Sequence, residues 1–227
     1  MTAPLRLIIF DVDGTLVDSQ GDIIAAMTHA FSAIDVSLPA RSDILGIVGL
    51  SLDVAMARLA PDLSDADHVR LTEGYKAAYM DLRKQAGAAQ SSPFYPGARD
   101  ALERLNAQPD TLLGVATGKS KRGLDKLLEG HGLEGLFVTQ QVADFHPSKP
   151  HPSMIQTALR ETGVDAANAV MIGDTSFDMD MARAAGVPGI GVSWGYHGRA
   201  RLGAARVIID SFPALPDCLD TLWGTTE

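Results

Sequence analysis

Several things are scarce in this sequence, and each shortage removes a class of protein. There is one cysteine, Cys218, so neither an intramolecular disulfide nor a cysteine metal site is available. No apolar run is long enough to span a bilayer. The opening stretch Met1–Asp11 is briefly apolar and ends in charge, which fits neither a secretory signal nor an anchor. A cytoplasmic protein is the expectation. Positive charge is also short: 19 Lys and Arg face 28 Asp and Glu, a formal net charge of −9. Nucleic acid and anionic membranes both need clustered cations, so neither is expected as a partner. A small phosphorylated metabolite stays open, because one pocket can be basic on an acidic protein. Repeats and low-complexity tracts are absent too. Nothing in the chain chooses between monomer and homodimer.

What is present reads as an ordinary folded chain. The 227 residues are 46% hydrophobic and 21% charged, enough to bury a core without staples. Leu5–Phe10 is nearly all apolar and reads as a strand buried on both faces. Apolar residues at helical spacing follow from Ile23 to Ile34, with further helices expected over Asp43–Val48, Leu52–Ala60 and Asp65–Lys84. No strand is visible between Val17 and Gln90. The segment Gln90–Gly97, with two prolines and a glycine, reads as a linker.

Beyond it the pattern alternates. Helices are expected at Ala98–Asn106, Lys121–Glu129, Pro152–Thr162, Phe177–Ala185 and Leu215–Leu222. Strands are expected at Leu112–Ala116, Leu136–Thr139, Ala169–Ile172, Gly189–Val192 and Val207–Ile209. This predicts an α/β protein: a three-layer, Rossmann-like parallel sheet with an inserted all-helical cap. The core would comprise residues 1–16 and 94–227, and the cap residues 17–93.

Ligands of open parallel sheets bind beyond the carboxyl ends of the strands. Asp11 and Asp13 follow the first strand, Thr117 and Gly118 the second, Lys149 the third, and Asp174 and Asp178 the fourth. Crowded carboxylates call for a hard divalent cation, and Mg²⁺ pairs naturally with carboxylates and phosphate oxygens. Thr117–Gly118–Lys119–Ser120 opens a helix, whose N-terminal amides favour an anion. Phosphoryl transfer is the chemistry this combination implies. Taken singly, each residue has a plainer reading. Asp174 and Thr117 could be helix caps and Lys149 a surface lysine. A D-x-D-G run also begins calcium loops, but such a loop would need Gly and Glu where Leu16 and Asp22 stand.

Asp11–Val–Asp–Gly–Thr–Leu–Val–Asp18 resembles the first motif of the haloacid dehalogenase superfamily. Val115–Ala–Thr–Gly118, Ser148–Lys–Pro–His–Pro152 and Gly173–Asp–Thr–Ser–Phe–Asp178 resemble the second, third and fourth, in order. The insertion is similar to the small cap of the phosphoglycolate phosphatase and β-phosphoglucomutase branch. The resemblance implies a phosphatase for a small phosphate monoester such as phosphoglycolate or a sugar phosphate. It implies Asp11 as nucleophile and Asp13 as acid and base. Thr117 and Lys149 would hold the phosphoryl oxygens, and Gly118 and Lys119 are further substrate-binding candidates, though a helix face also collects charges such as Lys119. Asp11, Asp13 through its backbone carbonyl, and Asp174 would hold Mg²⁺. Asp178 would support the metal or orient Lys149. Turn Gly46–Ser51, with Gly49 and Ser51, resembles the substrate-contacting cap loop, and fits a plain helix connection equally well. A mutase, a pyrophosphatase or a non-catalytic binding protein are the alternatives.

Other residues are read more plainly. Arg41 and Arg58 are the nearest cap cations to that loop. His146 and His151 are expected in solvent. Asp18 and Ser19 suit capping or hinge duty as well as substrate contact. The loop Trp194–Gly198 is expected to serve packing, and Cys218 to be inert.

Overall fold

The protein is described here by a computed structural model covering residues 4–224. Six parallel strands form one sheet in the order β3-β2-β1-β4-β5-β6. They are β1 Arg6–Phe10, β2 Thr111–Thr117, β3 Thr139–Val142, β4 Ala169–Gly173, β5 Gly189–Val192 and β6 Val207–Ile209. Strand β1 is central, and its apolar run serves both faces in alternation. Ile8 and Phe10 enter one buried cluster, Leu7 and Ile9 the other, as the two-residue period of a strand requires. Helices α6 Ala98–Asn106, α7 Lys121–His131, α8 Ser153–Thr162, α9 Ser176–Ala184 and α10 Leu215–Trp223 cover the sheet.

The insertion is helical: α1 Gln20–Ser32, α2 Arg41–Leu45, α3 Leu52–Leu59, α4 Asp65–Ala86 and α5 Ala88–Ser91. It has its own apolar cluster around Met27, Phe31, Ile44, Met56 and Leu71, and Phe177 of α9 joins that cluster from the sheet side. The chain leaves and re-enters along two adjacent segments. Val17 bridges to Phe94, the Asp18 amide donates to the Pro93 carbonyl, and the Tyr95 amide donates to the Leu16 carbonyl.

Two expectations need correction. The short helix α5 begins before the segment read as linker and runs into it. The third strand lies three residues later than Leu136–Thr139. Phe137 is buried below the sheet end and Val138 is exposed, while the polar Thr139–Val142 pairs with Gly114–Thr117. An edge strand needs backbone partners on one side only, so its side chains can be polar and hide it from an apolarity search. Among the described residues, no helix is long and apolar enough to cross a membrane.

Candidate active site

Strand β1 ends at Phe10, whose neighbours in the sheet are Val115 of β2 and Ile172 of β4. The residues just beyond these three central strands therefore converge. Asp11, Asp174 and Asp178 each place a carboxylate oxygen within 4.8 Å of the others, and all three are buried. Lys149 comes in from the loop after β3, itself buried. Its Nζ lies 3.0 Å from Asp11 Oδ1 and 2.6 Å from Asp178 Oδ1. One cation thus faces three carboxylates.

The two outer carboxylates are well held. Asp174 accepts from Thr15 Oγ1 at 3.0 Å and from the Tyr196 amide at 2.8 Å. Asp178 accepts from the Thr175 amide and hydroxyl, and Thr175 in turn caps α9, so helix start and site are one arrangement. Asp11 differs. Its Oδ1 meets Lys149 as an ion partner at 3.0 Å, and its Oδ2, equally buried, accepts from nothing. Burial raises the Asp11 pKa to about 7 against the opposing pull of Lys149, with Asp178 adding to the rise. Burial, then Asp11 and Asp178, push Asp174 well above the ordinary carboxylate range. Orphaned buried oxygens beside excess negative charge fit a hard divalent cation, and the all-oxygen donor set fits Mg²⁺. The backbone turns tightly here: Gly14 has φ of +84°, and a Cβ there would lie 2.3 Å from Asp174 Oδ2.

Asp13 stands apart from this trio. Its side chain is not in the metal-competent group. Both its oxygens accept from Lys119 Nζ at 2.7 Å, and Oδ1 also accepts from Ser19 Oγ at 2.5 Å. Asp13 and Lys119 line a cavity of about 1080 Å³ between sheet and cap, together with Asp11, Thr117 and Gly118. Lys149, Asp174 and Asp178 do not line it themselves, and reach it through Asp11, beside which they stand. Thr117 does not cap a helix: Ser120 caps α7, and Thr117 Oγ1 accepts instead from the Lys119 amide. Gly49 and Ser51 line the cavity from the cap side. Their loop presses on the sheet, with the Ser51 amide donating to Ser148 Oγ. A Cβ on Gly118 would sit 2.6 Å from the carbonyl oxygens of both Gly49 and Leu50.

Several plainer readings give way. Ser19 makes no side-chain cap and binds Asp13 instead, whereas Asp18 keeps its capping and hinge duty, accepting from the Gln20 amide at the start of α1 and donating its own amide to the Pro93 carbonyl. Loop Trp194–Gly198 borders the site. Trp194 Nε1 donates to the Thr15 carbonyl, Tyr196 holds Asp174, and the Tyr196 hydroxyl meets Ser19. His197, fully buried, bridges the Ser176 amide and the Gly46 carbonyl of the cap. His146 is partnered by Gln141 and Ser153, not left to solvent; His151 is exposed as expected. Neither Arg41 nor Arg58 lines the cavity: Arg41 donates to Gln20, and Arg58 lies over Phe177. The cap instead supplies Tyr79 and Arg83 from α4. Their helical spacing was visible in the sequence, but nothing there marked which face of α4 turns toward the sheet.

The comparisons agree with this geometry. The sequence pattern of the haloacid dehalogenase-like hydrolases matches residues 8–192. A "Probable phosphatase IndB" of Dickeya dadantii is 37% identical over 211 residues, covering 91% of this chain and 90% of that one. A "Phosphoglycolate phosphatase" of Mesorhizobium japonicum is 31% identical, covering 92% of each. A solved hydrolase from Pseudomonas syringae superposes with a TM-score of 0.83 at 27% identity, covering 95% of this chain and 98% of that one. A family pattern that matches residues 8–192, and phosphatases that match over nine-tenths of their own and this chain's length, place the chain in the haloacid dehalogenase-like hydrolase family, as a phosphatase.

Proposed function

We propose that this phosphatase hydrolyses a small phosphate monoester, with Mg²⁺, through an aspartyl-phosphate on Asp11. The observation that carries this reading is Asp11 itself: a buried carboxylate lining the cavity, ion-paired through Oδ1 to Lys149 at 3.0 Å and with Oδ2 bonded to nothing. An oxygen left unbonded is free to attack. In the first step Asp11 forms a bond to phosphorus and the ester P–O bond breaks. The leaving oxygen takes a proton from the Asp13 carboxyl. In the second step Asp13 takes a proton from water, the water oxygen bonds to phosphorus, and the bond to Asp11 breaks to release phosphate. Both Asp13 oxygens are occupied by Lys119, so the leaving group must displace one of those bonds. Thr117, Gly118 and Lys149 would receive the phosphoryl oxygens.

Mg²⁺ would be held by Asp11, the Asp13 carbonyl and Asp174, with Asp178 beside it, and when bound it neutralises phosphoryl charge. Residues 17–93 would act as a cap that excludes water on closing. The name of the Mesorhizobium relative makes phosphoglycolate the first ester to try.

The test is initial rates on phosphoglycolate, hexose phosphates, nucleotides, pyrophosphate and an aryl phosphate, with Mg²⁺ and with a chelator. Turnover is expected for at least one monoester and should vanish with the chelator. Asp11→Asn should lower kcat by at least about 10³-fold, as expected when a covalent nucleophile is removed. Turnover by that variant near the wild-type rate would sink the covalent mechanism.

A further inference from the structure

The cavity is lined by six basic side chains: Lys76, Arg83, Lys84, Lys119, Arg122 and Lys126. Four of them are already matched. Lys76 pairs with Glu73, Lys84 with Asp81, Lys126 with Glu129, and Lys119 with Asp13. Arg122 is exposed and loses little by standing alone. Arg83 is different. Its Nη1 donates to the Gly123 carbonyl at 3.0 Å, tying α4 to α7. Its Nε and Nη2 are buried and have no hydrogen-bond partner. Among the described residues it makes no ion pair; Asp22 acts on it electrostatically, but is turned to Ser91. Leaving two guanidinium N–H groups buried and unpaired is costly, so such an edge is retained where something comes to fill it.

Nε and Nη2 form one side of the planar guanidinium fork, the side that takes two oxygens of a carboxylate or phosphate at once. The position of that edge is fixed relative to the proposed phosphoryl site. Arg83 Cζ and Lys119 Nζ each lie 5.2 Å from the centroid of the Tyr79 ring, and Lys119 holds Asp13. A group bound at Arg83 is therefore one aromatic ring away from the proton donor to the leaving oxygen.

We infer that Arg83 determines specificity by binding a second anionic group, carboxylate or phosphate, on the leaving side of the substrate. This rests on the monoesterase reading above and narrows it to short esters charged at both ends. The Gly123 contact fixes the guanidinium plane, so little rotamer entropy is lost on binding, but Nε and Nη2 are covered here and the cap must shift to let the anion reach them.

The test compares wild type, Arg83→Gln and Arg83→Lys on three short esters: the phosphoester of a hydroxy acid, a bisphosphate and an alkyl phosphate whose alcohol part carries no charge, the neutral ester below. Wild type should favour one charged ester over the neutral one. Arg83→Gln should lower kcat/KM on that ester by about 100-fold, mostly through KM, as loss of a two-pronged ionic contact implies. It should change the neutral ester by less than about threefold, and Arg83→Lys should restore only part, because the charge returns without the fork. Which charged ester suffers tells carboxylate from phosphate. An equal loss on all three would make Arg83 a structural tie between α4 and α7 and overturn the inference, as would a wild type indifferent to the second charge. If no ester turns over, the monoesterase reading fails on its own. Calorimetric titration of a phosphonocarboxylate then decides: equal affinity in wild type and Arg83→Gln overturns the inference, and weakened binding in the variant sustains it.

Discussion

Lys149 is, among the described residues, the one cation paired with the buried carboxylate trio, so its removal has a predictable cost. Lys149→Met would leave Asp11 and Asp178 facing each other without compensation. Breaking a buried ion pair on one side typically costs about 3–5 kcal/mol. A loss of that size is expected in the denaturant unfolding free energy at pH 8 in a chelator. It should shrink at pH 5, where Asp11, raised to about 7 even in the wild type, takes up a proton and the repulsion falls. A loss that did not depend on pH would place the cost in packing instead of charge. Lys149 was legible from the sequence because it stands in a loop that the strand order brings to the sheet edge. Arg83 was not. Its importance comes from what fails to pair with it across α7, and a sequence states no such absence. Tyr196 and His197 were missed for a related reason: their partners Asp174, Ser19 and Gly46 lie far away in the chain.

The cap loop and the start of α7 are in contact through backbone, which makes Gly118 a test of closure. A Cβ there would meet two carbonyl oxygens at 2.6 Å, and neither belongs to a side chain that can swing away. The Gly46–Ser51 loop must retreat, and with it Gly49, Ser51 and the bond to Ser148. Overpacking of this kind costs about 1–3 kcal/mol. Charged to the closed arrangement, that is a loss in kcat/KM of about 5- to 150-fold for Gly118→Ala. Gly198→Ala is the control: nothing lies within 4 Å of its Cβ, and its effect should stay under about 0.5 kcal/mol. Comparable activity losses in the two variants would mean that loop contact is not what Gly118 protects. The helices and strands that carry this geometry were mostly readable, since apolar period marks an element buried on one or both faces. Strand β3 was misplaced by three residues because Thr139 and Gln141 point their polarity into a network with Glu161 and His146. Such a strand looks like a loop until its partners are known.

Across the whole molecule, the buried carboxylates should make stability depend on pH and on divalent cations together. Asp11 and Asp174 both have folded pKa values above their ordinary 3.8, Asp11 at about 7. Between these limits the folded chain binds more protons than the unfolded one. Unfolding free energy therefore falls as pH rises. The stabilising share of Asp11 is complete below about pH 4 and is lost as pH climbs through about 7, and Asp174, raised by its burial, acts in the same direction. Each group contributes a slope of at most about 1.4 kcal/mol per pH unit. Lys149, whose folded pKa is raised by Asp11 and Asp178 in spite of burial, stays charged throughout and adds no slope in this window. Denaturant unfolding in a chelator should accordingly show a midpoint that declines from pH 5 to pH 8. Adding Mg²⁺ should raise the midpoint most at pH 8, where the carboxylates are ionised and the cation has least competition from protons. Calcium should do so less well if the cluster is as tight as its 4.8 Å span implies, because the larger ion wants more ligands at longer distances. A midpoint that Mg²⁺ leaves unmoved at pH 8 would mean that the excess charge is balanced by Lys149 alone, and the metal assignment for Asp11, Asp174 and Asp178 would fall.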